Sequence, residues 1–414
     1  FQNQILELLT SPSYLAFVVS VFFSQIAFNM LTVVLIFLIF YLTSSNFAVA
    51  ILLFTILIPQ ITLSFLGGVV ADQENKKMVL IFGNFLRALA LIVLFFNWDS
   101  RFLVYIVTFI ISSITQFYVP AEAPLIPTLV ARNKLVAANS IFGISLFGSI
   151  LIGYVLAGPF ISAFGRSNVF LLLAGVFLLA GACAVFISQK KTAIVSAQMK
   201  KSIGEEFKNS LSLLAKTRRV VDAFFLLIFS QVIIFILATL IPGYAKSVLQ
   251  VPAEDISLIL FAPAALGMVV TALFMGSIAS RFESVKLTSI GIYISGTVLI
   301  LLPFTSRILS RGIITSASDF VLILAILAGV ANALIFIPSQ AAIQEIIPED
   351  FRSKIYGLLF ALIGLFSLLP IMIAGGVADI VGVGVVLFVL GALIIILGIV
   401  RERFLFIIPK VLKR

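Results

Sequence analysis

The stretch "GGVVADQENKK", residues 67–77, is the end of an apolar run that stops abruptly in a cluster of charges. Residues 47–71 before it contain no charged side chain, and residues 78–97 after it contain only Arg87. Each run reaches the ~20 residues that cross a bilayer as a helix. Backbone groups in lipid must bond within their own segment, so such runs read as helices. They do not alternate between apolar and polar residues, which excludes a transmembrane β-barrel. Working outward, the same pattern recurs along all 414 residues, of which 62% are hydrophobic and 11% charged. A soluble domain is about a quarter charged. The fold class expected is therefore an all-α membrane protein. Its twelve transmembrane helices fall at 14–42, 47–71, 78–97, 102–127, 136–162, 168–188, 221–245, 255–279, 287–305, 319–341, 354–379 and 383–400.

Composition also removes whole classes of chemistry. The chain has no histidine and a single cysteine, Cys183, inside an apolar run. A His/Cys metal site, a disulfide framework and a Ser-His-Asp or Cys-His nucleophile are all excluded. No Gly-x-x-x-x-Gly-Lys-Ser/Thr loop is present, so no phosphate cradle of that kind for a nucleotide is expected. No cofactor, no metal and no enzymatic activity are expected.

Sidedness follows from Lys and Arg. With an even number of spans and both termini cytoplasmic, 21 of the 27 basic residues fall in cytoplasmic segments. The outer loops then hold only Arg101, Arg166, Lys246, Arg307 and Arg311. This positive-inside bias orients the chain. The net charge of +10 reflects topology and contact with anionic lipid, and no nucleic-acid partner is expected. The longest polar stretch, 189–220, divides the chain into bundles 1–188 and 221–414. Its part from Ile203 to Leu214 reads as an amphipathic helix on the inner membrane surface.

The halves repeat. "PAEAPLIPTLVARNKLVAANS" (120–140) matches "PSQAAIQEIIPEDFRSKIYGL" (338–358) at an offset of 218, and "AGPFISAFG" (157–165) matches "AGGVADIVG" (374–382) at 217. A near-copy of the opening stretch, "GGVAD" (375–379), closes a span running the other way. The two copies are expected to share only close helix packing, which Gly permits, and a polar exit.

The twelve spans, the central basic loop and the motif Gly68, Ala71, Asp72, Lys76, Lys77 and Leu80 resemble the major facilitator superfamily. Gln73 and Asn75 depart from the signature, where Arg and Gly are usual. "FYVPAEAPLIPTLVARNKLVAANS", "LAGPF" and "NFLRALALI" further resemble the drug-efflux branch that includes macrolide-efflux, enterobactin-export and lysophospholipid carriers. The resemblance implies two pseudo-symmetric six-helix bundles. It also implies a cytoplasmic gate in which Asp72 faces the helix start near Lys354, with Arg352 and Lys354 as second-half partners. The matching place after the eighth span has Gly276 but Ser280 in place of an acid, so the gate is expected to be asymmetric.

Charges inside a membrane are costly and default to functional candidates. Glu122 is the candidate for proton coupling, since a carboxyl that alternates between dry and wet surroundings can load and release a proton. Asn29 stands where the family often has an acid, which counts against coupling through the first span and leaves sodium coupling or uniport open. Gln25, Asn29, Arg87, Gln116, Gln231 and Asn332 are the candidate cavity residues. Each amide is as readily an interhelical hydrogen bond. The expected function is a secondary active transporter exporting a hydrophobic or amphipathic small molecule. The alternatives are a lysophospholipid or other lipid carrier, and a non-transporting receptor or scaffold. Expected partners are a small-molecule substrate, membrane lipids and protons or sodium. The expected state is a monomer in a prokaryotic cell (inner) membrane.

Overall fold

The computed structural model describes residues 2–73, 75–188, 218–279, 281–305, 317–347 and 349–411. The described chain is helical throughout, with no strand. After α1 (Gln2–Leu9) come α2 (Pro12–Thr43), α3 (Asn46–Gln73), α4 (Lys76–Phe96) and α5 (Arg101–Glu122). The short α6 (Ile126–Leu129) and the long α7 (Leu135–Val185) follow. Then come α8 (Arg218–Tyr244), α9 (Ala262–Ala279), α10 (Ser284–Leu301), α11 (Ala317–Ile346), α12 (Glu349–Val381) and α13 (Val383–Val411). Among the described residues, eleven stretches are long and apolar enough to cross a membrane. The longest bends at Gly165 (φ 81°), a left-handed backbone that Gly adopts without Cβ strain, so α7 is two limbs and twelve spans result. The expected helix at 203–214 lies outside the described residues.

Local chemistry sets the ends. Pro12 opens α2, where its missing N–H is not needed. Ser44, in the left-handed region, closes α2 by donating its N–H to the Phe40 carbonyl at 2.7 Å. Asn75 caps α4, its Oδ1 accepting the Lys77 N–H at 3.1 Å. Gly382 (φ 90°) makes the turn between α12 and α13.

The described chain forms two compact units. One holds 2–44 and 51–188, the other 45–50 and 218–411, so the first turn of α3 belongs with the second unit. In the first unit α4 packs on α5 and α7, and α2 packs on α7. In the second unit α10 packs on α11 and α13, and α8 packs on α12. Glycines set the tightest contacts. A Cβ on Gly67 would stand 1.8 Å from the Gln116 carbonyl oxygen of α5. One on Gly329 would stand 1.8 Å from the Ala264 oxygen, and one on Gly267 2.1 Å from the Ile326 oxygen, joining α9 to α11. Within the membrane, small residues let backbones approach where no hydrophobic force between helices exists.

The second unit extends one expectation and corrects another. The last span falls at Val383–Arg403, close to the expected 383–400, while its helix α13 continues to Val411 and buries Arg401. The Arg401 Nε and Nη2 donate to Asp222 of α8 at 2.9 and 2.7 Å, and Nη1 and Nη2 donate to Ser289 and Thr288 of α10 at 3.2 and 3.1 Å. The stretch "GGVAD" is not only a polar exit. The Asp379 carboxylate accepts the backbone N–H groups of Asn46 (2.8 Å) and Phe47 (3.1 Å), the Asn46 side-chain amide (2.9 Å) and the Ser45 hydroxyl (2.5 Å).

Candidate functional site

The polar core of the first unit is built around Arg87. The α4 residues Asn84, Arg87, Ala88 and Leu91 recur at helical spacing and form one buried face. Arg87 is 1% exposed. Its Nη1 donates to the Ser24 hydroxyl at 3.1 Å and its Nη2 to the Thr115 hydroxyl at 3.1 Å. Its guanidinium lies 4.1 Å from the Tyr118 ring centre, 5.6 Å from Phe177 and 5.8 Å from Phe28. Among the described residues Nε has no hydrogen-bond partner. A desolvated cation over an aromatic face gains about 2 kcal/mol, so three rings and two hydroxyls explain how a charge is held here. Ser24 in turn donates to Asn84 Oδ1 at 2.7 Å, and Asn84 Nδ2 donates to the Leu80 carbonyl at 3.0 Å and to Tyr118 at 3.4 Å.

Glu122 is the last residue of α5, one turn beyond Tyr118 and just before Pro124. It is 2% exposed. Among the described residues its hydrogen-bond partner is Gln25 of α2, whose Nε2 donates to Oε1 at 3.0 Å. Arg132, a basic residue ten positions on, makes no ion pair with it among the described residues. Arg87 is near enough to act on it electrostatically. A glutamine amide suits a group that changes protonation. It donates to a carboxylate and, turned over, accepts from a carboxylic acid. Gln25 can therefore serve Glu122 in either state.

The other candidates separate. Asn29 donates to the Gln25 carbonyl on its own helix at 2.7 Å, with Gly153 of α7 packed against its Cβ. Gln116 donates to the Ser112 carbonyl at 3.3 Å, again within one helix. In the second unit Asn332 donates to Ser230 at 2.9 Å, and Gln231 is the half-buried neighbour of Ser230. Of the gate residues, Lys76 and Lys77 open α4. Gly68 and Asp72 lie near the end of α3, and Arg352 and Lys354 near the start of α12. Nothing beyond their place in the helices is described for those four. A small, largely apolar crevice lies beside Phe28, lined also by Leu31, Ile56 and Thr108.

Reading the sequence alone missed Ser24, Thr115, Tyr118, Phe28 and Phe177. Small hydroxyls and aromatics in apolar runs carry no signal of their own. The one available cue was spacing, since Tyr118 and Glu122 lie four apart on one helix face.

The family model of the Major Facilitator Superfamily matches residues 17–315 and 223–414. The chain is 24% identical over 383 residues to YfiS, an uncharacterized MFS-type transporter of Bacillus subtilis (strain 168), covering 87% of this chain and 85% of that one. Its fold is similar to that of the nucleoside transporter NupG (TM-score 0.74, 12% identity, 95% of this chain and 98% of that one). It is similar also to a POT family transporter in complex with 5-aminolevulinic acid (TM-score 0.71, 15% identity, 94% and 95%). A bacterial homologue of the iron transporter ferroportin in an inward-facing state is a third (TM-score 0.65, 15% identity, 93% and 97%). At these identities the structures speak for the fold alone, and the family match speaks for kinship. A multi-pass helical membrane protein of twelve spans, matched over most of its length, this chain belongs to the major facilitator superfamily.

Proposed function

We propose that the chain is a proton-coupled exporter of a hydrophobic or amphipathic small molecule, working by alternating access of its two six-helix halves. The observation that carries this reading is Glu122: a fully buried carboxyl, held by a neutral amide and set near the permanently charged Arg87. Proton loading there changes the net charge of a dry polar core, and that is a means of coupling a gradient to a conformational equilibrium. Family membership supports secondary transport. The branch resemblance of "FYVPAEAPLIPTLVARNKLVAANS" supports export of an apolar or amphipathic compound. The Lys/Arg bias supports an inner membrane with both termini cytoplasmic, which a terminal epitope reached only after permeabilisation would check.

The test is efflux of ethidium from proteoliposomes under an imposed pH gradient, wild type beside Glu122→Gln. Gradient-driven efflux in the wild type, at least tenfold slower in Glu122→Gln, is the expected result. Equal gradient-driven efflux in both removes Glu122 from coupling. Absence of efflux in the wild type counts against the exporter reading and turns the search to lysophospholipid movement.

A further inference from the structure

The Asp379 contact does more than end a helix. All four of its hydrogen bonds go to the turn that starts α3, two of them to free backbone N–H groups of the first turn. The turn is shaped for this. Ser44, left-handed at φ 53°, reverses the chain at the end of α2, so Ser45, Asn46 and Phe47 follow in quick succession.

Three glycines make the seat. A Cβ on Gly375 would stand 2.8 Å from the Asn46 carbonyl oxygen and 3.0 Å from the Ala50 Cβ. One on Gly376 would stand 3.4 Å from the Phe47 ring, and one on Gly243 of α8 2.3 Å from Asn46 Oδ1. Asn46 is 5% exposed and its Oδ1 has no partner among the described residues, a buried unsatisfied acceptor that works against the seat. The grip therefore rests on the Asp379 carboxylate, whose charge-assisted bonds are the strong ones here.

Residues 45–50 group with the second unit, while α3 from residue 51 groups with the first. If the units rock, this turn is where α3 must part from its seat. From this we propose that Asp379 is a releasable catch on the first turn of α3, one that lets go and re-forms in each transport cycle. The inference rests on the transport reading above, because a chain that never changes conformation needs no release.

The test uses a Cys183→Ser background in liposomes, and it has two parts. Ala50→Cys places a thiol at a position that is 0% exposed against Gly375, so maleimide reaches it only when the turn leaves its seat. Adding Asp379→Ala removes all four hydrogen bonds and is expected to speed labelling at least about tenfold. Asp379→Asn is expected to fall between, since an amide still accepts. In the second part, Ser45→Cys with Asp379→Cys is bridged by a short, reductant-cleavable bis-methanethiosulfonate. Bridging is expected to stop ethidium efflux and reductant to restore it. A contact that is merely structural would tolerate the bridge. Labelling indifferent to Asp379→Ala, or efflux undiminished by the bridge, overturns the proposal. If the Cys183→Ser parent without the pair moves no ethidium, that counts against the exporter reading, and the labelling rates alone then decide on the catch.

Discussion

Arg401 offers the sharpest quantitative test of the second unit, because two readings of one residue predict different numbers. As a charged tail beyond the last span, it would contribute nothing to stability when truncated. In the structure its side chain is 7% exposed and bound to Asp222, which is 25% exposed. Removing one partner of a buried ion pair costs about 3–5 kcal/mol, because the other charge is left uncompensated. Partial exposure of Asp222 places Arg401→Met at the low end of that range, about 3 kcal/mol. The Ser289 and Thr288 bonds add about 0.6 kcal/mol each, the average for interhelical hydrogen bonds in a membrane protein. Asp222→Asn should cost less, about 2 kcal/mol, because an amide still accepts one guanidinium bond. The double variant removes both charges. It should recover part of the loss, giving a coupling energy of about 2 kcal/mol in a double-mutant cycle. The assay is reversible unfolding in mixed micelles, all four proteins in the same detergent. Additivity of the two single changes within about 0.5 kcal/mol, the value for independent sites, would refute the buried pair.

Two further predictions concern packing and the gate. Gly329→Val should prevent stable folding, because its Cβ meets the Ala264 carbonyl oxygen at 1.8 Å, whereas Gly143→Ala, with nothing nearby, should stabilise by up to about 1 kcal/mol; thermal unfolding of the purified variants checks both. Asp72→Asn should slow ethidium efflux and shift the distribution of spin-label distances between the halves, as the resemblance implies for the gate; an unchanged distribution and rate would remove Asp72 from that role.

The opening motif shows where reading a sequence stops short. "GGVVAD" and "GGVAD" look alike, and glycines for close packing followed by an acid were legible as such. The expectation of a mere polar exit failed at Asp379, because the partner turn at 45–47 is more than 300 residues away in sequence. In the structure the acid that closes α12 holds the first turn of α3. That is the geometry the resemblance implies for Asp72 at the other end of α3, with the helices exchanged. The site in the first unit was partly legible for the opposite reason. Arg87 and Glu122 are charges in apolar runs, and the cost of charge in lipid makes them conspicuous. Their supports, Ser24, Thr115 and Tyr118, are not conspicuous, since a hydroxyl can bond to its own helix as easily as to a neighbour.

What the sequence determined alone is what depends on each segment by itself. Helical spans follow from apolar length, their ends from Pro, Asn and Gly, and the exclusion of histidine and disulfide chemistry from composition. A membrane removes water as a partner for the backbone, so each segment must settle its own hydrogen bonds before it meets another. What only the tertiary structure decided is which side chains meet. Gln25 rather than Arg132 sits on Glu122, Arg401 belongs to Asp222 rather than to a tail, and Asp379 holds the start of α3. The reason is geometric: helix periodicity fixes which face a residue occupies, but the register and close approach of neighbouring helices, set by glycines such as 67, 267 and 329, fix what that face finds opposite.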